Sequence, residues 1–130
     1  MTIPANLLRL ALVADAVASG ATGLLMFAGA GLLAGLLGLP DELLRYAGVV
    51  LLPFAAFVAY VGTRGDIPRA AAGAIVVTNS AWVAGSLALL VSGAVSPTML
   101  GYAFVLVQAV AVGVLAELQW IGLRREARTA

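Results

Sequence analysis

The chain has 130 residues, of which 63% are hydrophobic and 10% charged, and its mean hydropathy is +1.11. It has too few polar residues to cover a water-soluble surface and reads as an integral membrane protein. Cysteine, histidine and lysine are absent, which excludes disulfides, thiolate chemistry, the usual zinc donors and haem held by His or Cys, so no cofactor and no metal is expected. A net charge of +1 gives no electrostatic basis for binding nucleic acid.

A bilayer core about 30 Å thick takes about 20 helical residues to cross, and four apolar stretches of that length follow one another. They predict spans at about residues 7–29, 41–63, 68–92 and 98–122, with an Arg-rich cytoplasmic tail at 123–130. The expected fold is all-α, a four-span transmembrane helix bundle forming a single domain over residues 1–130. The first apolar run continues to Leu39, longer than one crossing needs, so it is broken at Gly29-Ala30-Gly31, where paired glycines weaken a helix. Residues 32–37 are then expected as a short interfacial helical turn between spans one and two. Pro40, Pro68 and Pro97 suit the first helical positions of the later spans, with Ser96 and Asp66 as nearby caps. Pro53 falls inside span two and removes the donor for the Val49 carbonyl, which predicts a kink.

All positive side chains are arginines, and their distribution predicts orientation. Arg9, Arg64, Arg69, Arg124, Arg125 and Arg128 fall on one side of a four-span topology, and Arg45 alone on the other. The positive-inside rule then expects both termini in the cytoplasm, N-in and C-in, in the cell membrane.

Two carboxylates lie inside predicted spans. An ionisable group at the centre of a spanning helix costs about 2.5–3.5 kcal/mol on insertion scales, so each needs a physical reason. At 1.5 Å per residue, Asp15 lies about 9–12 Å from the Arg-rich boundary, Glu117 about 10 Å and Asn79 about 15 Å. Spans one, three and four thus each bring a polar group to a similar depth, which predicts a shared intramembrane polar site of Asp15, Asn79 and Glu117. Asp15, Ser19 and Thr22 share one stripe of span one, so Ser19 and Thr22 join the candidate site. Arg9 and Arg124 are the expected ion-pair partners for the acids. Gln108 lies nine residues before Glu117 and faces nearly the opposite way, toward a different neighbour. The small residues Ala16, Gly20 and Gly23, and Ala81 with Gly85, predict close helix contacts, inside the bundle or across a dimer.

The segments Leu36-Leu37-Gly38-Leu39-Pro40, Leu51-Leu52-Pro53-Phe54 and Ala116-Glu117-Leu118-Gln119 with Gly122-Leu123-Arg124-Arg125 resemble those of small uncharacterised four-span bacterial integral membrane proteins, a resemblance that implies the fold and no activity. Four short spans with an acid midway along the first also resemble the small multidrug resistance transporters, although Asp15 stands where that family has Glu. That second resemblance implies proton-coupled handling of cationic solutes through Asp15. No catalytic constellation is visible, so the protein is expected not to be an enzyme. The leading expectation is a helix-bundle module that sits in the lipid bilayer and assembles as a homodimer or with a membrane-protein partner. The alternative is a proton-linked transporter or permeation unit for a small cationic or amphipathic solute.

Overall fold

The computed structural model describes the backbone of residues 6–129 and the side chains of residues 6–125. It is all-helical: α1 (Leu7–Ala28), α2 (Ala30–Leu37), α3 (Asp41–Thr63), α4 (Arg69–Val91) and α5 (Met99–Thr129). Four of these, α1, α3, α4 and Met99–Arg125 of α5, are long and apolar enough to cross a membrane. With 22 residues in α1 and 23 in each of α3 and α4, each reaches about 33–35 Å at 1.5 Å per residue.

The break in the first apolar run falls where the glycines weaken it. Gly29 closes α1 with its N–H on the Leu25 carbonyl at 2.8 Å and opens α2 by accepting from Leu33 at 2.9 Å. Nine residues later Gly38 stops α2 at φ +68, a left-handed cap that a Cβ would strain. Residues 32–37 therefore lie within a short helix rather than a single turn.

The starts of the later helices differ from expectation by small shifts. Pro40 and Pro68 stand immediately before the first helical residues, with ψ of 135° and 127°, and no side chain caps either helix, so Asp66 does not serve. At α5 the cap is Thr98 rather than Ser96. Its hydroxyl accepts from the Gly101 N–H at 3.1 Å and donates to the Leu36 carbonyl at 2.8 Å, while its own N–H reaches the Leu37 carbonyl at 2.9 Å. One residue thus starts α5 and ties it to the end of α2. The far end of α5 also departs from expectation, because the helix continues through the predicted tail to Thr129. Leucine, arginine, glutamate and alanine after Gly122 are strong helix formers, and Leu123 anchors the extension by packing with Leu8, Leu12 and Ile75.

Side by side the long helices run in the order α3, α1, α5, α4, each antiparallel to its neighbour, and α3 barely touches α4. Apolar burial drives helix association weakly when the solvent is lipid, so close packing carries more of the load. Glycines sit at the tightest crossings. A Cβ on Gly48 would stand 2.7 Å from the Gly23 carbonyl oxygen and from the Phe27 nitrogen, so α1 and α3 meet backbone to backbone. A Cβ on Gly122 would stand 2.7 Å from the Leu8 nitrogen, which makes the equivalent contact between α1 and α5. Gly85, expected to mark a close contact, has nothing within 4 Å of its Cβ position and borders the groove between α3 and α4. Pro53 lies within α3, which continues across it as one helix.

Both described ends of the bundle, the start of α1 and the end of α5, lie on the same side with the loop joining α3 and α4. Arg9 secures that end. Its guanidinium donates to the carbonyls of Gly62 at 2.7 Å, Arg64 at 2.6 Å and Gly65 at 3.3 Å, which places a cation on the C-terminal carbonyls of α3, where the helix dipole favours it.

Candidate functional site

Asp15 lies in the middle of α1 on the face turned toward the bundle and is 0% exposed. Its carboxylate accepts three hydrogen bonds from three elements. Ser19, one turn along α1, donates to Oδ1 at 2.8 Å. Asn79 of α4 donates through Nδ2 to Oδ2 at 2.7 Å, and Gln119 of α5 donates through Nε2 to the same oxygen at 2.8 Å. The two amides also bond each other, Asn79 Nδ2 to Gln119 Oε1 at 3.1 Å, and Gln119 Nε2 reaches the Ala11 carbonyl at 3.4 Å. Both protons of each amide nitrogen and the Ser19 hydroxyl proton are therefore used inside the cluster. Among the described residues no buried side-chain nitrogen or oxygen lacks a partner. The donors are neutral, and none of them is an arginine.

Of the residues expected at the site, Asp15, Ser19 and Asn79 come together and Glu117 does not. Glu117 is on the outward face of α5, exposed, with no hydrogen bond or ion pair among the described residues. The arithmetic of depth placed it at the level of Asp15, but depth says nothing about facing. Gln119 takes the place in the cluster, two residues further along α5 and therefore about 200° around the helix. The sequence does contain its signal. Val105, Ala109, Val112, Ala116, Gln119 and Leu123 recur at alternating intervals of four and three, and they form the inward stripe of α5. A lone polar residue in an apolar stripe marks a hydrogen bond across helices.

The expected ion pairs are replaced by other contacts. Arg9 is held by carbonyls at and just beyond the end of α3, and the Arg124 guanidinium lies 5.7 Å over the Trp120 ring, a cation–π distance. Thr22 shares the stripe of Asp15 and Ser19 but takes no part in the cluster and instead borders a cavity.

That cavity, about 620 Å³, begins at the polar cluster and extends between α1 and α5 toward α2, with Leu25, Leu33, Leu37, Phe104 and Leu115 among its apolar walls. A second space of about 560 Å³ lies in the groove between α3 and α4. Trp82 and Gln108 border both. The Trp82 indole donates to Gln108 Oε1 at 2.8 Å, and Gln108 Nε2 donates to Ser86 Oγ at 3.1 Å and to the Val105 carbonyl at 2.9 Å. This second polar set joins α4 to α5 through Gln108, whereas Glu117 meets no polar neighbour among the described residues.

Chemically, the Asp15 cluster is a carboxylate held by three neutral donors, one of them the Ser19 hydroxyl, with no second acid among its partners. Among the described residues no group of three acidic side chains gathers where a metal could be held. No family model, no curated protein and no solved structure matches this chain.

Proposed function

We propose that this multi-pass membrane protein is a non-enzymatic helix-bundle module of the cell membrane, with both termini in the cytoplasm, that assembles with itself or with a membrane partner. In this reading the Asp15 cluster sets helix register and does not process a substrate. The observation that carries it is the closure of the cluster: every donor proton of Ser19, Asn79 and Gln119 is already engaged around Asp15. Asp15 is 0% exposed, and although the cavity of about 620 Å³ reaches it, its carboxylate oxygens are already engaged by Ser19, Asn79 and Gln119. The bias of six arginines against one supports the N-in and C-in orientation.

The test is Asp15→Asn. An asparagine can turn its carbonyl toward Asn79 and Gln119 and its amide toward the Ser19 hydroxyl, which accepts as readily as it donates. The variant is therefore expected to insert, to keep its helicity and to leave proteoliposome permeability to protons and organic cations as it was. pH-dependent uptake by the native chain that Asp15→Asn abolishes in a folded protein would overturn this proposal in favour of proton-linked transport. Labelling that found the C-terminus outside the cell would refute the orientation separately.

A further inference from the structure

The cavity beside the polar cluster follows from how α5 is pinned. At the Arg9 end of the bundle α5 meets α1 backbone to backbone through Gly122, and at the opposite end Thr98 holds it against the end of α2 instead. The two helices therefore part toward α2, and the cavity of about 620 Å³ lies in the gap. Ala18 and Leu25 of α1 and Val107 and Ala111 of α5 border it and are all exposed, so it opens sideways, onto lipid. One group on its wall lacks a partner. Elsewhere in the spans Thr63, Thr78, Ser80 and Ser86 each return the hydroxyl to the carbonyl four residues before, and Ser19 uses its own on Asp15. Thr22 borders the cavity three residues beyond Ser19 and donates to nothing among the described residues. The other donors of the wall, Ser19, Thr78, Asn79, Trp82 and Gln108, use every side-chain proton within the protein. A hydroxyl left unpaired in apolar surroundings costs free energy, which an acceptor placed against it recovers.

We infer that the cavity binds a neutral, lipid-like molecule, an apolar body with one acceptor oxygen of the carbonyl or ether kind, which enters from the bilayer between α1 and α5 and sets that oxygen on Thr22. Charge gives the first condition. No arginine borders the cavity, and its one acid is already held by Ser19, Asn79 and Gln119, so neither an anionic nor a cationic head meets a counter-charge there. Depth gives the second. Thr22 is six residues from the end of α1 at Ala28, about 9 Å inside the span, whereas the headgroup regions of a bilayer lie outside a hydrocarbon core about 30 Å thick. A phospholipid at the opening offers only methylenes at that level, and a molecule without a charged head can sink to it. Phe54, Trp82 and Phe104 supply aromatic walls and Leu25, Leu33 and Leu115 aliphatic ones, and the volume falls within the range of small-molecule sites, about 300–1,000 Å³. Water is the poorer occupant, because a buried water needs about two to four polar partners and Thr22 is the one donor of the wall still unused. The site belongs to a single chain, so it stands apart from the assembly proposed above.

The two tryptophans of the chain make the test direct, since Trp82 borders the cavity and Trp120 is exposed on the outside of the bundle. Trp120→Phe isolates the first as reporter and Trp82→Phe the second. Each is reconstituted in phosphatidylcholine vesicles and titrated with the methyl ester of dibromostearic acid, a neutral chain with a carbonyl and a heavy-atom quencher, or with a dibromoalkane of the same length. Quenching of Trp82 by the ester is expected to saturate, while quenching of Trp120 rises in proportion to the ester in the bilayer. Thr22→Val keeps the shape of the side chain and removes its hydroxyl; it should raise the ester's half-quenching mole fraction about threefold or more and leave the alkane's unchanged. Ala111→Phe, at the lipid-facing rim, should abolish saturation while leaving Thr22 in place. Ester and alkane quenching Trp82 alike, or no effect of Thr22→Val, would overturn the inference. Quenching of Trp82 in simple proportion to the ester would overturn it too, because bilayer hydrocarbon then fills the gap. Saturation by brominated phosphatidylcholine that the unbrominated methyl ester fails to relieve would assign the cavity to an ordinary phospholipid chain instead. The rim variant decides the matter even where Thr22→Val impairs folding.

Discussion

Replacing Asn79 with leucine tests whether the polar cluster holds the bundle together. The substitution keeps the number and branching of the side-chain heavy atoms at a position 3% exposed, and it removes two bonds: Nδ2 to Asp15 Oδ2 at 2.7 Å and Nδ2 to Gln119 Oε1 at 3.1 Å. In water-soluble proteins a bond to a charged group contributes about 1.5–3 kcal/mol and a neutral one about 0.5–1.5. Within membranes the unfolded reference state also finds partners, and measured interhelical bonds average about 0.6 kcal/mol and reach about 1.7. Two bonds on the membrane scale thus give about 1.2–3.4 kcal/mol. Asp15 keeps Ser19 and Gln119, but Gln119 Oε1 loses its donor in a dry site, which places the expected loss near the middle, at about 2 kcal/mol, or about 30-fold in the folding constant. Unfolding by denaturing detergent in mixed micelles measures it, with Trp82, three residues from Asn79, as the fluorescent reporter. The cycle with Gln119→Leu, which removes the other amide of the network, should show coupling of at least about 0.5 kcal/mol, as residues in one network do. A change below about 0.5 kcal/mol for Asn79→Leu, or additivity in the cycle, would show that the cluster does not determine how α4 sits against α1.

Gly122→Val would set a branched Cβ against the Leu8 backbone, where even a methyl group stands 2.7 Å from the nitrogen; we expect a loss of about 1–3 kcal/mol in the same unfolding assay, with α1 and α5 spread at that end. Arg9→Gln removes the cation from the end of α3 and should cost about 1 kcal/mol, and hydrogen exchange is expected to rise at the last turn of α3 and through residues 62–66 while α2 stays as protected as in the native chain. Unchanged exchange in that loop would mean that the three carbonyl contacts of Arg9 contribute nothing to its order.

The existence and length of the four spans were legible because hydropathy is a property of whole segments, and no tertiary contact had to be known. The break at Gly29 was legible for the same reason: two glycines weaken a helix wherever they stand. Caps were less so. Thr98 was favoured over Ser96 by its reach to both the α5 N-terminus and the Leu36 carbonyl, a tertiary tie that local preference does not contain. The site was half legible. Asp15, Ser19 and Asn79 follow from depth and from the stripe on span one, but depth carries no information about facing, and Glu117 shares the depth without the inward phase. Gln119 has the inward phase, but as a neutral amide it lacks the charge that makes a residue conspicuously costly inside a membrane.

Asp15 and Glu117 lie at similar depths, and the physics of placing an acid in lipid is the same for both, so the difference in their surroundings is informative. Asp15 is surrounded by donors that its own chain supplies. Glu117 is given none, although α5 carries Gln119 only two residues away and a small rotation of the helix would exchange their positions. That rotation is prevented by Gly122, which accepts the Leu8 backbone on one side only, and by Leu123, which is buried on that same side. Helix packing therefore fixes the angle of α5 and presents Glu117 outward as a consequence. Depth is thus shared by a held acid and a presented one, and the phase of α5, fixed by Gly122 and Leu123, separates them.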